Sequence, residues 1–208
     1  MLHLAENMID FYILYNGPEC GASAPDHMHF QAAGKEESLS TPFFKDFLND
    51  IIEQTDFDDV PAIVNSYANN TFITSIGLAS ILRSELIEKF ENIYNILSTF
   101  YGKEPLINII AWYAIDSTKH GEDDEVVAWN CVIFLRSKHR PDCYYNQGGK
   151  GLLISPAVAE MGGVFPIIRE EDMDKLNTKE IIDIYKEISL SPEQFETLCD
   201  ELFRKDEV

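Results

Sequence analysis

The chain has 208 residues, 45% apolar and 12% aromatic, which is the makeup of one folded domain large enough to bury a core without disulfide or metal staples. Its 16 Lys and Arg face 36 Asp and Glu, and a net charge of −20 repels phosphate backbones and anionic lipid, arguing against nucleic acid and membrane surfaces as partners. No apolar run reaches membrane-spanning length, no secretory leader pattern opens the chain, and Cys20, Cys131, Cys143 and Cys199 form no C-x-x-C pair, so a cytoplasmic protein with reduced cysteines is expected.

The apolar run Met8 to Tyr15 reads as a buried strand, and the Gly- and Pro-bearing stretch Asn16 to Pro25 breaks it. A second strand is expected over Asp26 to Ala32. Thr41-Pro42 opens a helix that Phe44, Phe47, Leu48 and Ile51 carry through Gln54 at helical spacing, whereas Val60 to Tyr67 is short, β-branched and ambiguous. From Ser80 to Tyr101 the residues Leu82, Leu86, Phe90, Ile93, Leu97 and Phe100 share one helical face, Glu85 and Lys89 form an i,i+4 pair, and Gly102 is placed to end the helix. Leu106 to Ile115 and Val126 to Arg136 predict an antiparallel hairpin across the acidic loop His120 to Glu125. Short strands at Gly151 to Ile154 and Gly163 to Ile168 are expected before two C-terminal helices, the second opened by the capping box Ser191-Pro192-Glu193-Gln194. The pattern predicts an α+β domain with a mainly antiparallel sheet, a core over residues 1–176 and C-terminal helices over 177–208 packed on it. Neither G-x-G-x-x-G nor G-x-x-x-x-G-K-[ST] occurs, so those two phosphate cradles are excluded.

Chemistry concentrates in His27-Met28-His29-Phe30-Gln31. Strand alternation would place His27, His29 and Gln31 on one face, with Met28 and Phe30 anchoring a core on the other. The loop before them carries Gly17, Gly21 and Ser23, whose backbone N–H groups are suited to an anion. A neutral imidazole is a competent nucleophile, and an amide can hold a phosphoryl oxygen without adding charge. Three plainer readings stand beside this one. The histidines can be ordinary strand residues, the glycines can serve only the turn, or His27 and His29 can begin a metal site completed by His139, Glu160 or Cys20.

The segment Asn16 to Gln31 resembles the active-site segment of the histidine-triad superfamily, in the H-x-H-x-Q branch of nucleotidyltransferases and phosphorylases. That branch includes galactose-1-phosphate uridylyltransferase, diadenosine tetraphosphate phosphorylase and GDP-L-galactose phosphorylase. The resemblance implies that His29 attacks the α-phosphorus to form a nucleotidyl-histidine, that Gln31 holds an α-phosphate oxygen, and that His27 orients the site. It further implies that Asn16, Gly21 and Ser23 bind phosphate, although Asp26 stands between Pro25 and His27 where the transferases have no residue. Downstream, Phe134 to Pro141 resembles the F-x-R-x-K-H-R-P segment of the phosphorylases, and Ser155 to Gly163 resembles their S-P-A-x-x-E-x-x-G stretch. Arg136, Lys138 and Arg140, three basic side chains within five residues of so acidic a chain, are expected to bind the substrate phosphates.

The expected substrate is a nucleotide sugar or dinucleoside polyphosphate, the acceptor is inorganic phosphate or a sugar phosphate, and no cofactor or metal is called for. Relatives of this branch are longer at the N-terminus, so the chain is expected to be their C-terminal part. With Met8 to Tyr15 as an uncovered sheet edge, it would form a homodimer or need a complementing N-terminal chain. An alternative function is a catalytically incomplete nucleotide-binding or subunit-assembly module, and a further one is a metal-dependent enzyme using His27 and His29.

Overall fold

The computed structural model describes residues 1–22, 26–35, 62–65, 73–116, 126–146 and 151–202. Its strands are β1 (Phe11–Asn16), β2 (Phe30–Gly34), β3 (Ala62–Asn65), β4 (Thr74–Ser80), β5 (Ile107–Asp116) and β6 (Val126–Leu135). They form one six-stranded sheet in the order β2-β1-β5-β6-β4-β3, with every neighbouring pair antiparallel. The helices are α1 (Leu2–Asn7), α2 (Arg83–Tyr101), the one-turn α3 (Asp142–Tyr145), α4 (Val158–Met161) and α5 (Glu170–Met173), and the C-terminal α6 (Thr178–Ile188) and α7 (Pro192–Leu202). The fold class is the expected α+β. Among the described residues no helix is long and apolar enough to cross a membrane.

Alternation along the central strands divides the core into two layers. Ile107 and Ile109 of β5 and Cys131, Ile133 and Leu135 of β6 face α2 and α7, where Leu86, Ile93, Leu97, Phe195 and Leu198 cover them. Tyr12 and Leu14 of β1, Ile110 and Trp112 of β5, and Val132 and Phe134 of β6 face the other way. They are covered by Leu152, Ile154, Val158 and Met161 and by Ile184, Tyr185 and Ile188 of α6. The candidate site lies at one end of this second layer.

The hairpin of β5 and β6 forms in full register from Ile107 opposite Leu135 to Asp116 opposite Val126. Helix α2 ends at Gly102 in the left-handed conformation, φ +63°, as its glycine predicts. The capping box also forms, with the Gln194 N–H donating to Ser191 Oγ at 3.2 Å and the Ser191 N–H to Gln194 Oε1 at 2.9 Å. The helix expected over Thr41 to Gln54 and the loop His120 to Glu125 lie outside the described residues.

Several expectations are corrected. The strand Met8 to Tyr15 is not an edge, because β1 pairs with β2 on one side and β5 on the other. Strand β2 begins only at Phe30, so His27 to His29 lie in the irregular segment that enters it, and Met28, 73% exposed, anchors no core. Helix α2 starts at Arg83, which leaves Leu82 as its extended, exposed N-cap instead of a member of the apolar face. Gly151 to Ile154 and Gly163 to Ile168 are irregular rather than strands. The Leu152 N–H donates to Cys143 O and the Leu153 N–H to Asp172 Oδ2, partners outside any ladder. Glu85 accepts from Ser80 Oγ at 2.8 Å in place of the expected contact with Lys89.

Asp172 ties the irregular segment down. It is 1% exposed and accepts from Arg169 Nε at 2.7 Å, Arg169 Nη2 at 2.9 Å, Lys175 Nζ at 3.3 Å and the Leu153 N–H at 3.1 Å. The Arg169 hydrogen bond is the main reason that its pKa falls from 3.8 to about 2. A depressed carboxyl stabilises the fold above its unfolded value, and that contribution is lost as pH falls through the folded one. Thermal denaturation of wild type and Asp172→Asn is therefore expected to show the wild-type advantage shrinking between about pH 4 and pH 2. A gap that does not change with pH would show that the ionised carboxylate contributes nothing.

Candidate active site

Register builds the polar wall of the site. Asn16 ends β1 directly opposite Asn108 of β5, and Asn108 in turn lies opposite Phe134 of β6, two residues before Arg136. Period-2 alternation thus brings Asn16, Asn108 and Arg136 to the face that carries Leu14, Ile110 and Phe134. Gln31 pairs with Leu14 and shares that face.

Arg136 is completely buried. Its Nη1 donates to Asn108 Oδ1 at 3.1 Å and Pro156 O at 2.5 Å, its Nη2 to His139 O at 2.8 Å, and its Nε to Lys138 O at 3.2 Å. Burial lowers its pKa to about 10, still well above neutrality, so it remains a cation beneath the site. The loop after β1 is held against this cation. The Gly21 N–H donates to His139 Nδ1 at 3.2 Å, and Ser155 Oγ donates to Gly21 O at 3.1 Å. Burial, then the neighbouring Arg140, lowers the His139 pKa, which suits an unprotonated Nδ1 acceptor.

A cavity of about 420 Å³ opens above this web, with His29, Gln31, Asn16, Gly21, Arg140 and Glu160 in its lining. His29 Nδ1 lies 3.1 Å from the carbonyl of His27. A carbonyl only accepts, so Nδ1 carries a proton, and in the neutral ring Nε2 is the nitrogen with the lone pair. His27 lies beside it, ring centroids 5.2 Å apart, with its own Nδ1 at 3.3 Å from Asp26 Oδ1, and it does not line the cavity. Asn16 Nδ2 donates to Gln31 Oε1 at 3.4 Å. Arg140 donates from Nε to Ser155 Oγ at 2.7 Å and lies 4.4 Å over the Tyr144 ring, an arrangement that fixes a guanidinium plane at the cavity wall.

The predicted residues separate. His29, Gln31, Asn16, Gly21 and Arg140 come together on one cavity, and Ser23 lies outside the described residues. Arg136 is taken up by the hydrogen bonds described above. Lys138 pairs with Asp142 at 2.5 Å and with Glu187, away from the cavity. Sequence reasoning missed Asn108, whose signal was an amide among the apolar residues that open β5. It noticed Glu160 as a possible metal ligand and as the acid of the S-P-A-x-x-E-x-x-G stretch, with no part in the cavity assigned to it. Glu160 is in the cavity lining, and its carboxyl accepts the Ala157 N–H at 2.9 Å and is raised in pKa by burial. Among the described residues no three His, Cys, Asp or Glu side chains are grouped to hold a metal ion.

Two segments of the chain match family models. Residues 128–206 match the model described as GDPGP1-like, C-terminal domain, and residues 1–34 match a domain of unknown function, DUF4922. The first match contains Arg136 to Arg140 and Ser155 to Glu160, and the second contains Asn16 and His27 to Gln31. The structure joins the two matched segments at this cavity. No curated protein and no solved structure matches the chain.

Proposed function

We propose that the chain carries the active site of a nucleotidyltransferase or phosphorylase that works through a nucleotidyl-histidine. The observation that supports this best is His29, held with Nδ1 protonated and Nε2 free, on the same cavity as Gln31 and Arg140. The match to a GDPGP1-like C-terminal domain accords with the resemblance to GDP-L-galactose phosphorylase. In the first step His29 Nε2 forms a bond to the α-phosphorus of a nucleotide sugar or dinucleoside polyphosphate, and the bond to the bridging oxygen breaks to release the sugar phosphate or nucleotide. In the second, an oxygen of inorganic phosphate or a sugar phosphate displaces His29 and restores the free ring. Gln31 would hold a non-bridging oxygen, and Arg140 would pair with the phosphates.

Intact-mass measurement after incubation with GDP-, UDP- and ADP-sugars and with dinucleoside polyphosphates tests the proposal. One added nucleoside monophosphate is expected, and the donor that produces it identifies the base. Binding without any added mass would instead favour a module that holds nucleotide without reacting.

The division of the basic cluster gives a second expectation. Arg140→Gln should weaken binding of the reactive nucleotide by about tenfold, since a charge-assisted contact is lost, whereas Lys138→Gln should leave affinity unchanged. Calorimetric titration of both variants separates the two sites. Equal losses would mean that the cluster acts through its summed charge rather than through one guanidinium at the cavity.

A further inference from the structure

The hydrogen bonds beneath the cavity have a direction, and groups that cannot reverse set it. Arg136 has only donors, so the Asn108 atom 3.1 Å from its Nη1 is the oxygen. The opposite end of the same amide lies 2.9 Å from the carbonyl of Cys20, which only accepts, so that end is the nitrogen. Asn108 is therefore fixed twice, independently. The same holds for its neighbour. The Asn16 atom that Asn108 Nδ2 meets at 2.7 Å also receives the backbone N–H of Val158 at 2.7 Å, and both donors require an oxygen there. With Oδ1 doubly occupied, Asn16 has only Nδ2 to turn toward Gln31. Gln31 answers with Oε1 at 3.4 Å, and its own Nε2 is without a partner among the described residues.

We infer that Arg136 and Asn108 are positioning residues that, together with the Val158 N–H, set the direction of an amide relay, Arg136 to Asn108 to Asn16 to Gln31, so that this wall offers the cavity N–H donors and selects an oxyanion. The inference rests on the proposed function for its ligand, a phosphoryl group, and adds the reason why Gln31 presents its nitrogen. A glutamine amide free to turn offers oxygen or nitrogen alike. Here the choice is made beneath the cavity, by the Val158 N–H on Asn16 and, through Asn108, by a guanidinium that does not line the cavity. Sequence distance conceals the connection, because the relay draws one residue from each of β1, β2 and β5 and one from just beyond β6.

Asn108→Asp reverses the relay at nearly constant shape. A carboxylate still accepts from Arg136, but it can no longer donate to Asn16. Asn16 can meet the new carboxylate only by turning Nδ2 toward it and Oδ1 toward Gln31, which gives up the acceptor of the Val158 N–H, and Gln31 then donates inward and leaves Oε1 facing the cavity. Side-chain amide resonances of the full-length, 15N-labelled chain report this directly. In ligand-free wild type, the Gln31 NH2 should exchange rapidly with water while that of Asn108 is protected. In Asn108→Asp the Gln31 NH2 should become protected, and affinity for inorganic phosphate should fall by about tenfold or more.

A protected Gln31 NH2 in ligand-free wild type would overturn the relay, whether or not the variant folds. So would a folded Asn108→Asp protein with an unchanged Gln31 signal and unchanged phosphate affinity. If wild type binds no phosphate, the proposed function loses its support, while the ligand-free amide pattern still decides the relay.

Discussion

Gly21→Ala is expected to cost about 3 kcal/mol or more and to lower the melting temperature by roughly 6 to 12 °C, with loss of the cavity's nucleotide affinity. Gly21 sits at φ +79°, where an L side chain is strained by about 1–2 kcal/mol. Its Cβ would also stand 1.8 Å from the carbonyl oxygen of Pro156, the same carbonyl that accepts from Arg136. That oxygen belongs to the backbone and is held by a buried guanidinium, so it cannot rotate away as a side chain would. The two sheet-end segments must separate, and the contacts of Gly21 with His139 and Ser155 go with them. Gly34→Ala is the control. Gly34 has ordinary backbone angles and open space around its would-be Cβ, and the change there should stay within about 0.5 kcal/mol. Thermal denaturation of the two variants makes the comparison, and similar small losses in both would show that the close approach at Pro156 is not a constraint.

His29→Ala is expected to abolish nucleotide transfer, a fall of at least about a thousandfold, because the atom that would bond phosphorus is removed. His27→Ala should be much milder. The contact that sets the His29 tautomer comes from the His27 carbonyl, and alanine supplies the same carbonyl. The His27 ring is exposed and off the cavity, so what it adds is the packing of one imidazole beside another. Single-turnover rates for the two variants test this ordering. A larger loss in His27→Ala than in His29→Ala would reverse the roles.

Strands β5 and β6 were legible because Ile, Val, Trp and Phe crowd them, and the capping box at Ser191 because its chemistry is local. Strand β4 was not. Thr74, Ser75, Gly77 and Ser80 dilute its apolar signal, yet all seven of its residues are buried, covered on one side by α2. The apolar segment from Gly151 to Ile154 misled in the opposite sense, since a run of Leu and Ile shows that a segment is buried but not whether its N–H groups meet a ladder or an aspartate.

At the site, alternation was expected to put His27, His29 and Gln31 on one face; His29 and Gln31 line one cavity, and His27 stays off it because β2 begins only at Phe30. Spacing failed for Arg136, Lys138 and Arg140. They look equivalent at i, i+2 and i+4, but β6 ends at Leu135 and the chain turns, sending one inward, one to the carboxylates of Asp142 and Glu187 and one to the cavity. Asn108 could have been found by asking why an amide interrupts an apolar strand, since a buried amide requires partners.

The central claim is that His29 becomes covalently nucleotidylated. The most direct measurement is to trap the unmodified full-length chain with a reactive nucleotide donor, digest it under non-acidic conditions that preserve a phosphorus–nitrogen bond, and locate the added mass by peptide fragmentation. The account predicts one nucleoside monophosphate on His29, released by mild acid and lost on adding the phosphate acceptor. A nucleotide on any other residue, or an acid-stable one that the acceptor does not remove, would contradict it.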